Sequence, residues 1–339
     1  MLPNDAMKYG DWYIVEYGDG HEEAWDTFIS KEAVNACFLQ SRKFLNYHPK
    51  EKYEDSSLLI YDSKGNLSAV CAGAVKYEDG KKTFFSHAGS SYGGIILNDN
   101  SFRMEKCMGI LESFESHLKL KGFSRVLLKP LNPLMCKNKD ELLTFCLYFK
   151  KYTEYKELNL YVDLNQVDLL DVSKGFSKLK RRTTKKCLNL GMQLRELKTK
   201  SELERFLEIL TGNLEKYGLM PYQSVDDLLD LRGRFPNEIQ YWGCVYEGKI
   251  VSVTMVFLFP ETGCVHTHYL ASDKEYNKVS PMTFIYYKMI EYYKEKGYQT
   301  VSWGISTEHR GVEINVNLTN TKEEFGSHHN IVPVFEKDF

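Results

Sequence analysis

Two histidines at alternate positions of one predicted strand are well suited to moving a proton. His266 and His268 lie in the segment CVHTHYLAS, separated by Thr267. Alternate residues of a strand point to the same face, so both imidazoles are expected on one side of a sheet. Imidazole titrates near neutral pH, and either ring could act as a general base. The alternative is that one or both rings only make core hydrogen bonds. We take His268 as the candidate base.

Polar side chains follow the next buried strand, predicted for QTVSWGI. The segment 303–310, which starts at Trp303, holds a carboxylate, an imidazole, two hydroxyls and an arginine: Glu308, His309, Ser306, Thr307, Arg310. Loops that follow buried strands often carry function. Glu308 is therefore a candidate catalytic carboxylate, and Trp303, Ser306 and Thr307 are candidate substrate contacts. The alternative is a polar turn at the end of a strand.

A basic stripe is predicted on one helix, in the segment SKGFSKLKRRTTKKCLNLG. Four cations recur at i, i+3, i+4 and i+7 and share one helical face: Lys178, Arg181, Arg182, Lys185. Such a face suits a polyphosphate, a nucleotide-linked sugar or a tRNA backbone, so Arg181 and Arg182 are candidate substrate contacts. The alternative is a solvated face, which most charge runs are.

A polar, glycine-rich loop in the first half of the chain is a candidate acceptor-binding wall. It contains His87, Ser90 and Tyr92, followed by two glycines. Glycine allows a substrate to approach the backbone closely. A tight turn between a strand and a helix would explain the same residues equally well.

The predicted elements around these residues occur twice. Hairpin, strand, amphipathic helix, Lys-Gly-aromatic stop and buried strand run through SLLIYDSKGNLSAVCAGAV to SRVLLKP and again through IQYWGCVYEGKIVSVTMVF to QTVSWGI. Helical segments around Glu22–Phe28 and Ala33–Leu45 precede the first copy. Two copies are too few for a solenoid and indicate two similar domains. Their boundary is expected near residues 165–174.

Composition limits the class of protein. The chain has 339 residues, a formal net charge of −2, 27% charged and 43% apolar residues, which is ordinary for a globular protein of about two domains. A surface built for DNA is therefore not expected. No stretch has the ~20 apolar residues that span a bilayer. The eight scattered cysteines show no metal-ligand spacing, which indicates reduced thiols, no metal site and a cytoplasmic protein.

The order of elements resembles the GNAT acyltransferase fold. Two such domains in tandem resemble the FemAB-like family, whose known members transfer amino acids from aminoacyl-tRNA onto cell-wall (peptidoglycan) precursor peptides. The local matches are FLQSRKFLNYH, SHAGSSYGG, RRTTKKCLNLG, FPNEIQYWGCVYEGKIVS and INVNLTNTKEEFG. The resemblance implies an α/β (α+β) fold with two GNAT-like domains, 1–165 and 166–339. Each would be a mixed, mostly antiparallel sheet flanked by helices.

The chain departs from acetyl-CoA enzymes of this superfamily at the loop that opens the central helix. Those enzymes hold the CoA pyrophosphate on a glycine-rich loop at a helix N-terminus. Here the second-half loop, 274–281, and its first-half counterpart, 98–103, have no glycine. This favours a FemAB-like protein. Lys278 and Ser280 are the candidate cofactor contacts, although Lys278 is equally well explained as a solvated lysine.

The resemblance also implies roles near the C-terminus. In the FemAB-like pattern the lysine of the Lys…Phe-Gly segment lines the substrate groove. By that match Lys322 would contact a substrate phosphate or the reacting carbonyl as a catalytic residue, and Asn317 would position the segment.

The activity predicted from these features is amide formation on an amino group by direct acyl transfer. The donor would be aminoacyl-tRNA, with tRNA as a partner, or an acyl-CoA such as acetyl-CoA. The acceptor would be a small or nucleotide-linked amine of the cell-wall-precursor type. No cofactor is required. The alternatives are an acetyl-CoA-dependent N-acetyltransferase and, in another class, a non-catalytic binding or scaffold protein with a degenerate GNAT fold.

Overall fold

A computed structural model describes residue 3 and residues 5–86 and 88–339. The strands are Met7–Tyr9 (β1), Trp12–Glu16 (β2), Leu58–Tyr61 (β3), Leu67–Cys71 (β4), Ala74–Glu78 (β5), Lys81–Phe85 (β6), Ile95–Leu97 (β7), Arg125–Leu128 (β8), Thr153–Asp163 (β9), Gln193–Glu196 (β10), Ile239–Tyr246 (β11), Lys249–Phe259 (β12), Cys264–Ser272 (β13), Thr300–Ile305 (β14), Thr307–Glu308 (β15), Glu313–Ile314 (β16) and His328–Asp338 (β17). The α-helices are Glu22–Thr27 (α1), Arg42–Leu45 (α2), Met104–Leu120 (α3), Leu142–Phe149 (α4), Lys178–Asn189 (α5), Lys200–Leu214 (α6), Val225–Arg234 (α7), Pro281–Glu295 (α8) and Val316–Glu323 (α9).

The chain divides into two compact units. The first runs up to Glu157 and also takes in Arg310–Val312 and Ile331–Phe339, and the second comprises Leu158–His309 and Glu313–Asn330. The units are therefore not contiguous in sequence, because the C-terminal half of β17 belongs to the first. The sequence predicts two contiguous domains, 1–165 and 166–339, which do not include this return of the C-terminal segment to the first unit. That boundary stays a prediction.

The first unit contains two layers of strands packed on a central helix. One sheet has the order β1-β2-β3-β4-β7, and its pairs are antiparallel. The other strands of the unit run β17-β8-β6-β5, with β6 parallel to β8. Helix α3 buries one apolar face, including Leu111, Phe114 and Leu118, because these residues recur at helical spacing. The Phe114 ring meets Phe84 edge-on at 5.4 Å.

The second unit repeats this plan around α8. Its strands run β10-β11-β12-β13-β14-β9, and β13–β14 is the parallel pair. Helix α8 buries Phe284, Ile285 and Met289 against this sheet. Each unit thus contains a parallel strand pair joined through its central helix, β6-α3-β8 and β13-α8-β14. Two similar domains, each a mixed sheet flanked by helices, were expected from the sequence, and that fold is confirmed.

The first copy differs from the second at its hairpin. The predicted hairpin forms as β3 and β4, but β4 pairs with β7 in the separate five-stranded sheet. The antiparallel partner of β6 is β5, a strand that the sequence does not separate from the predicted hairpin. The eight cysteines form no disulfide. No helix among the described residues combines the length and apolar character needed to cross a membrane.

Candidate functional site

Strands β13 and β14 are paired only where they begin. Parallel pairing joins Cys264 to Thr300, Val265 to Val301 and His266 to Ser302. Beyond the His266–Ser302 pair, β13 continues to Ser272 and β14 to Ile305 without further pairing between them. The two strands therefore lose their pairing beyond His266 and Ser302, which leaves a wedge between their carboxyl-terminal ends.

His268 lies at a β-bulge, in the part of β13 that is not paired with β14. The register with β12 passes from Met255–Tyr269 to Val256–Thr267, which leaves His268 as the extra residue. Its ring stacks on Phe257 with 4.7 Å between centroids, and burial lowers its pKa to about 4. His268 is therefore uncharged at neutral pH and a weak base. Its predicted catalytic role stays a prediction.

His266 is held by a buried polar chain of Asn330, Asn159, Ser302 and His266. Asn159 Nδ2 donates to Asn330 Oδ1 at 2.7 Å, so Asn159 turns its Oδ1 toward Ser302. Ser302 Oγ donates to that oxygen at 3.0 Å, and its oxygen lies 3.2 Å from His266 Nδ1. Because the Ser302 hydrogen is already used, His266 must donate from Nδ1. The lone pair of the imidazole is then on Nε2, which is the nitrogen able to take a proton.

The polar chain was not predicted, although the sequence carries a trace of it. Asn159 and Ser302 are each fully buried, and each has an apolar residue on either side of it in its strand. A single polar residue in a buried strand needs a partner, because an unpaired polar group in a core costs free energy. The sequence cannot say which partner it finds.

Lys322 lies beside the end of β14. Its side chain is buried, and Nζ donates to Gly304 O at 2.9 Å and Ile305 O at 2.8 Å. Burial lowers the Lys322 pKa to about 7. Gly304 has a φ of +77°, and a side chain there would come within 3.5 Å of His266 Cε1. Lys322 thus fixes the backbone that faces His266, and its predicted substrate contact stays a prediction.

The other residues predicted at this strand end are distributed between buried and exposed positions. Trp303 and Ser306 are buried, and Trp303 Nε1 and Ser306 Oγ have no hydrogen-bond partner among the described residues. Thr307 Oγ1 accepts from Leu158 N at 3.2 Å, so it anchors backbone. Asn317 is exposed on α9. Of these residues, Trp303 and Ser306 therefore have a buried donor that is not used within the described residues. The substrate roles of Trp303, Ser306, Thr307 and Asn317 stay predictions.

Glu308 lies in the exposed hairpin of β15 and β16. Potential ligand atoms of Glu308, His309 and Glu313 lie within 4.8 Å of one another, and all three residues are exposed. Exposed acidic residues commonly cluster in this way without an ion, so these three residues are not evidence for a bound metal. Arg310 points elsewhere: it pairs with Glu78 at 2.8 Å and with Glu336. The catalytic role of Glu308 stays a prediction.

The basic stripe forms as predicted on α5, which begins after the N-cap Ser177. All four cations are exposed: Lys178, Arg181, Arg182, Lys185. The buried side of the helix packs against the loop before α8, where Cys187 Sγ lies 3.4 Å from Val279 O and 3.5 Å from Ser280 O. Lys278 is exposed, and Ser280 is half-buried with a φ of +58°. The predicted anion and cofactor contacts thus stay predictions.

In the first unit, the glycine-rich loop is packed tightly. A side chain on Gly93 would come within 1.8 Å of Ser86 O, so glycine is required there by packing. Tyr92 is buried, and Ser90 Oγ donates to Leu39 O at 3.3 Å. His87 lies outside the described residues. The acceptor-wall role of Ser90 and Tyr92, and that of His87, stays a prediction.

Gly304→Ala tests whether activity depends on the space between Gly304 and the His266 ring. Gly297, with a φ of +81° and open space around it, is the matched control. Both alanine variants should lose about 1 kcal/mol of unfolding free energy, because both force an L-residue into the left-handed region. Only Gly304→Ala places a methyl group against the imidazole and should slow acyl transfer. Urea unfolding and an activity assay separate the two effects. Equal activities of the two variants would contradict this reading.

Comparison with known proteins supports the architecture. Residues 175–309 match the family model described as an acetyltransferase (GNAT) domain. FemX superposes with a TM-score of 0.66 at 12% identity, covering 96% of this chain and 97% of FemX. L-PGS from Bacillus licheniformis gives 0.59 at 15% identity, with 94% and 92% covered. A tandem GNAT protein from the clavulanic acid biosynthesis pathway gives 0.56 at 11% identity, with 96% and 98% covered.

No curated protein sequence matches the chain at a significant level. The structural similarities extend over both units, whereas the family model matches only residues of the second unit. The parallel pair that separates at His266 lies inside the matched range. The chain therefore has the tandem GNAT fold that these structures share, and residues 175–309 match the model of an acetyltransferase (GNAT) domain.

Proposed function

We propose that this protein is an acyltransferase that forms an amide on an amino group by direct transfer, with the wedge between β13 and β14 as its reaction centre. The observation that carries the proposal is the parallel pair that ends at His266 and Ser302, with the imidazole oriented by buried hydrogen bonds. An amine nucleophile must lose a proton during transfer, and an oriented base at the point where two strands open supplies that step.

We assign the base to His266 rather than His268. The Nε2 lone pair of His266 takes the proton from the attacking amine as the C–N bond forms. The ester C–O bond of the donor breaks, and the leaving oxygen takes this proton from His266 Nε2, so that charge and atoms balance and the imidazole returns to its neutral form. The buried and unpartnered Trp303 Nε1 and Ser306 Oγ are candidate donors to the substrate. His268, with a pKa of about 4, contributes the wall of the wedge.

An aminoacyl donor is favoured over acyl-CoA by the turn Lys274–Val279, which precedes α8. This turn has no glycine and starts with Asp273, whose carboxylate pairs with Arg205 and accepts from Glu275 N at 3.0 Å. Glu275 adds a second carboxylate in the first turn. A pyrophosphate needs backbone N–H groups and little negative charge at this place. The exposed cations of α5 suit instead the phosphate backbone of a tRNA carrier.

The proposed acceptor is a nucleotide-linked amine of the cell-wall-precursor type. The FemAB-like resemblance of the sequence suggests this acceptor, and the fold shared with FemX supports it.

A donor comparison tests the proposal. The protein is incubated with a UDP-linked muramyl pentapeptide bearing a free lysine amine, and with either tRNA charged with radiolabelled amino acids or radiolabelled acetyl-CoA. We expect label in an alkali-stable amide from the tRNA donor, and none after ribonuclease treatment. Label from acetyl-CoA alone would overturn the aminoacyl donor but leave acyl transfer. No transfer from either donor would overturn the enzyme assignment.

A further inference from the structure

Helix α4, in the first unit, presents aromatic rings to solvent. Its inner side carries Leu143 and Leu147, which are buried in the core of the unit. Its outer side carries three large rings with substantial exposure: Phe145 at 48%, Tyr148 at 68% and Phe149 at 58%. A single exposed apolar residue is ordinary on a protein surface, whereas a contiguous group of them marks an interaction surface.

The three rings of α4 form one continuous surface. The Phe145 and Phe149 rings are stacked with 6.3 Å between centroids, and the Tyr148 centroid lies 6.5 Å from that of Phe145. Met104 of α3 adjoins the helix, because its Sδ lies 3.9 Å from Cys146 Sγ, and it is exposed as well. Aromatic residues and methionine are enriched at protein interfaces. We call Met104, Phe145, Tyr148 and Phe149 the aromatic face.

Opposite charges lie at the two ends of the aromatic face. Glu141 comes one residue before α4 and Lys151 two residues after it, and both are exposed. Neither side chain forms an ion pair with any residue that the structure describes. The neighbouring lysines are already engaged: Lys150 pairs with Glu112 at 3.4 Å, and Lys139 donates to two backbone carbonyls. The outer side of α4 is thus acidic at its start and basic at its end.

This charge pattern is complementary to itself. If two copies of α4 cross antiparallel, a twofold axis places Glu141 of each copy opposite Lys151 of the other. Cys146 lies midway between the two charged residues in sequence, so the exposed rings occupy the centre of such a crossing. A uniformly charged partner, such as an anionic lipid surface, would be attracted at one end and repelled at the other. The observations therefore favour a second copy of this chain.

We propose that the aromatic face is a homodimer interface, in which α4 packs antiparallel on α4 of a second copy with two Glu141–Lys151 ion pairs across the twofold axis. The rings supply the apolar burial, and the charges fix the orientation of the two helices. Three half-exposed rings of ~150–250 Å² each offer less than the ~800 Å² per partner of a standard interface. We therefore expect a weak dimer, with a Kd on the order of 10–100 µM. This dimerisation is independent of acyl transfer.

Sedimentation velocity of the full chain, from roughly 1 to 300 µM, tests dimerisation. We expect a reversible dimer, and Tyr148→Ser should weaken it at least about tenfold because it removes a ring from the interface. Tyr77→Ser is the matched control, since Tyr77 is 71% exposed on β5, outside the aromatic face, and should leave the Kd unchanged. A monomer at every concentration, or the same Kd for both variants, would overturn the proposal.

Mixing two charge variants tests the antiparallel arrangement. Glu141→Lys alone brings lysines together at both pairs, and Lys151→Glu alone brings carboxylates together at both. Each variant alone should therefore dimerise about tenfold more weakly than the wild type. An equimolar mixture should regain the wild-type Kd, because every mixed dimer contains two pairs of opposite charge. A mixture that dimerises no more tightly than the separate variants would overturn the arrangement.

Co-sedimentation with phosphatidylglycerol vesicles tests the competing occupant, a lipid surface. We expect the wild type and Tyr148→Ser to bind these vesicles equally. If the wild type stayed monomeric in solution and bound the vesicles through Tyr148, with binding lost in Tyr148→Ser, the aromatic face would be a membrane contact and the homodimer proposal would be wrong.

Discussion

His266→Gln should reduce acyl transfer by at least about 10²-fold, because it removes the group that accepts the amine proton. Glutamine is close to histidine in volume and its amide can still donate to Ser302, so the polar chain remains occupied. His268→Gln should change turnover by about threefold or less, since burial already holds the His268 pKa near 4 and the ring contributes little basicity at neutral pH. The two substituted positions are only two residues apart on β13.

The comparison uses initial rates with aminoacyl-tRNA as donor and urea unfolding of each variant. Both histidines contact Phe257, at centroid distances of 6.5 Å for His266 and 4.7 Å for His268. Both variants therefore lose an aromatic contact with Phe257. If the histidine rings had only a structural role, both variants would transfer the acyl group more slowly. A larger loss of rate in His268→Gln than in His266→Gln, at equal stability, would return the base to His268.

The sequence permits the architecture to be predicted because the determining features are local. Hydrophobic periodicity identifies α3 and α8, and the Lys-Gly-aromatic stops precede the strands that pair parallel to β6 and β13. The stripe on α5 follows from helical spacing alone. Strand pairing is less local, and the sequence therefore did not distinguish β5 from the hairpin before it.

The site is less predictable because it depends on contacts between distant residues. Strand alternation predicts His266 and His268 on one face of the sheet. Their different surroundings come from a register shift against β12, which leaves His268 as the extra residue of a bulge. His266 is oriented through Asn159 and Asn330, far away in sequence. A helix was expected over Ala33–Leu45, and such a helix would not predict a guanidinium enclosed by Tyr17 and Trp25. The segment instead contains the short α2, and Arg42 is buried by residues that precede it.

Lys322→Met should alter both stability and turnover, and the pH dependence of stability is the distinctive result. The Lys322 pKa is about 7 in the folded protein, against an ordinary value of 10.5. Between these values the unfolded chain holds the extra proton, so the unfolding free energy rises with pH. The wild type should gain about 2 kcal/mol from pH 7 to pH 9 relative to Lys322→Met. Below pH 7 this contribution becomes constant.

Urea unfolding at pH 7, 8 and 9 measures this difference, and the shared titrating groups cancel between the two proteins. Lys106→Met, which removes an exposed lysine from α3, should run parallel to the wild type. If the unfolding free energy of Lys322→Met also changed with pH as that of the wild type does, Lys322 would have to stay charged from pH 7 to pH 9. The absolute stability is a poorer readout, since methionine also removes the donor to the Gly304 and Ile305 carbonyls.

The two acceptors of Lys322 connect this stability result to turnover. A neutral amine has two N–H groups, and Nζ has two carbonyl acceptors, Gly304 O and Ile305 O, so the hydrogen bonds survive loss of the proton. Lys322 can therefore hold the end of β14 in either state. Methionine cannot, and Gly304 would lose its fixed position near His266. We expect turnover of Lys322→Met to fall by about 10²-fold, because a small displacement of a catalytic base is enough for a loss of that size. A Lys322→Met enzyme that loses the pH-dependent stability but retains turnover would limit Lys322 to the fold and exclude it from positioning His266.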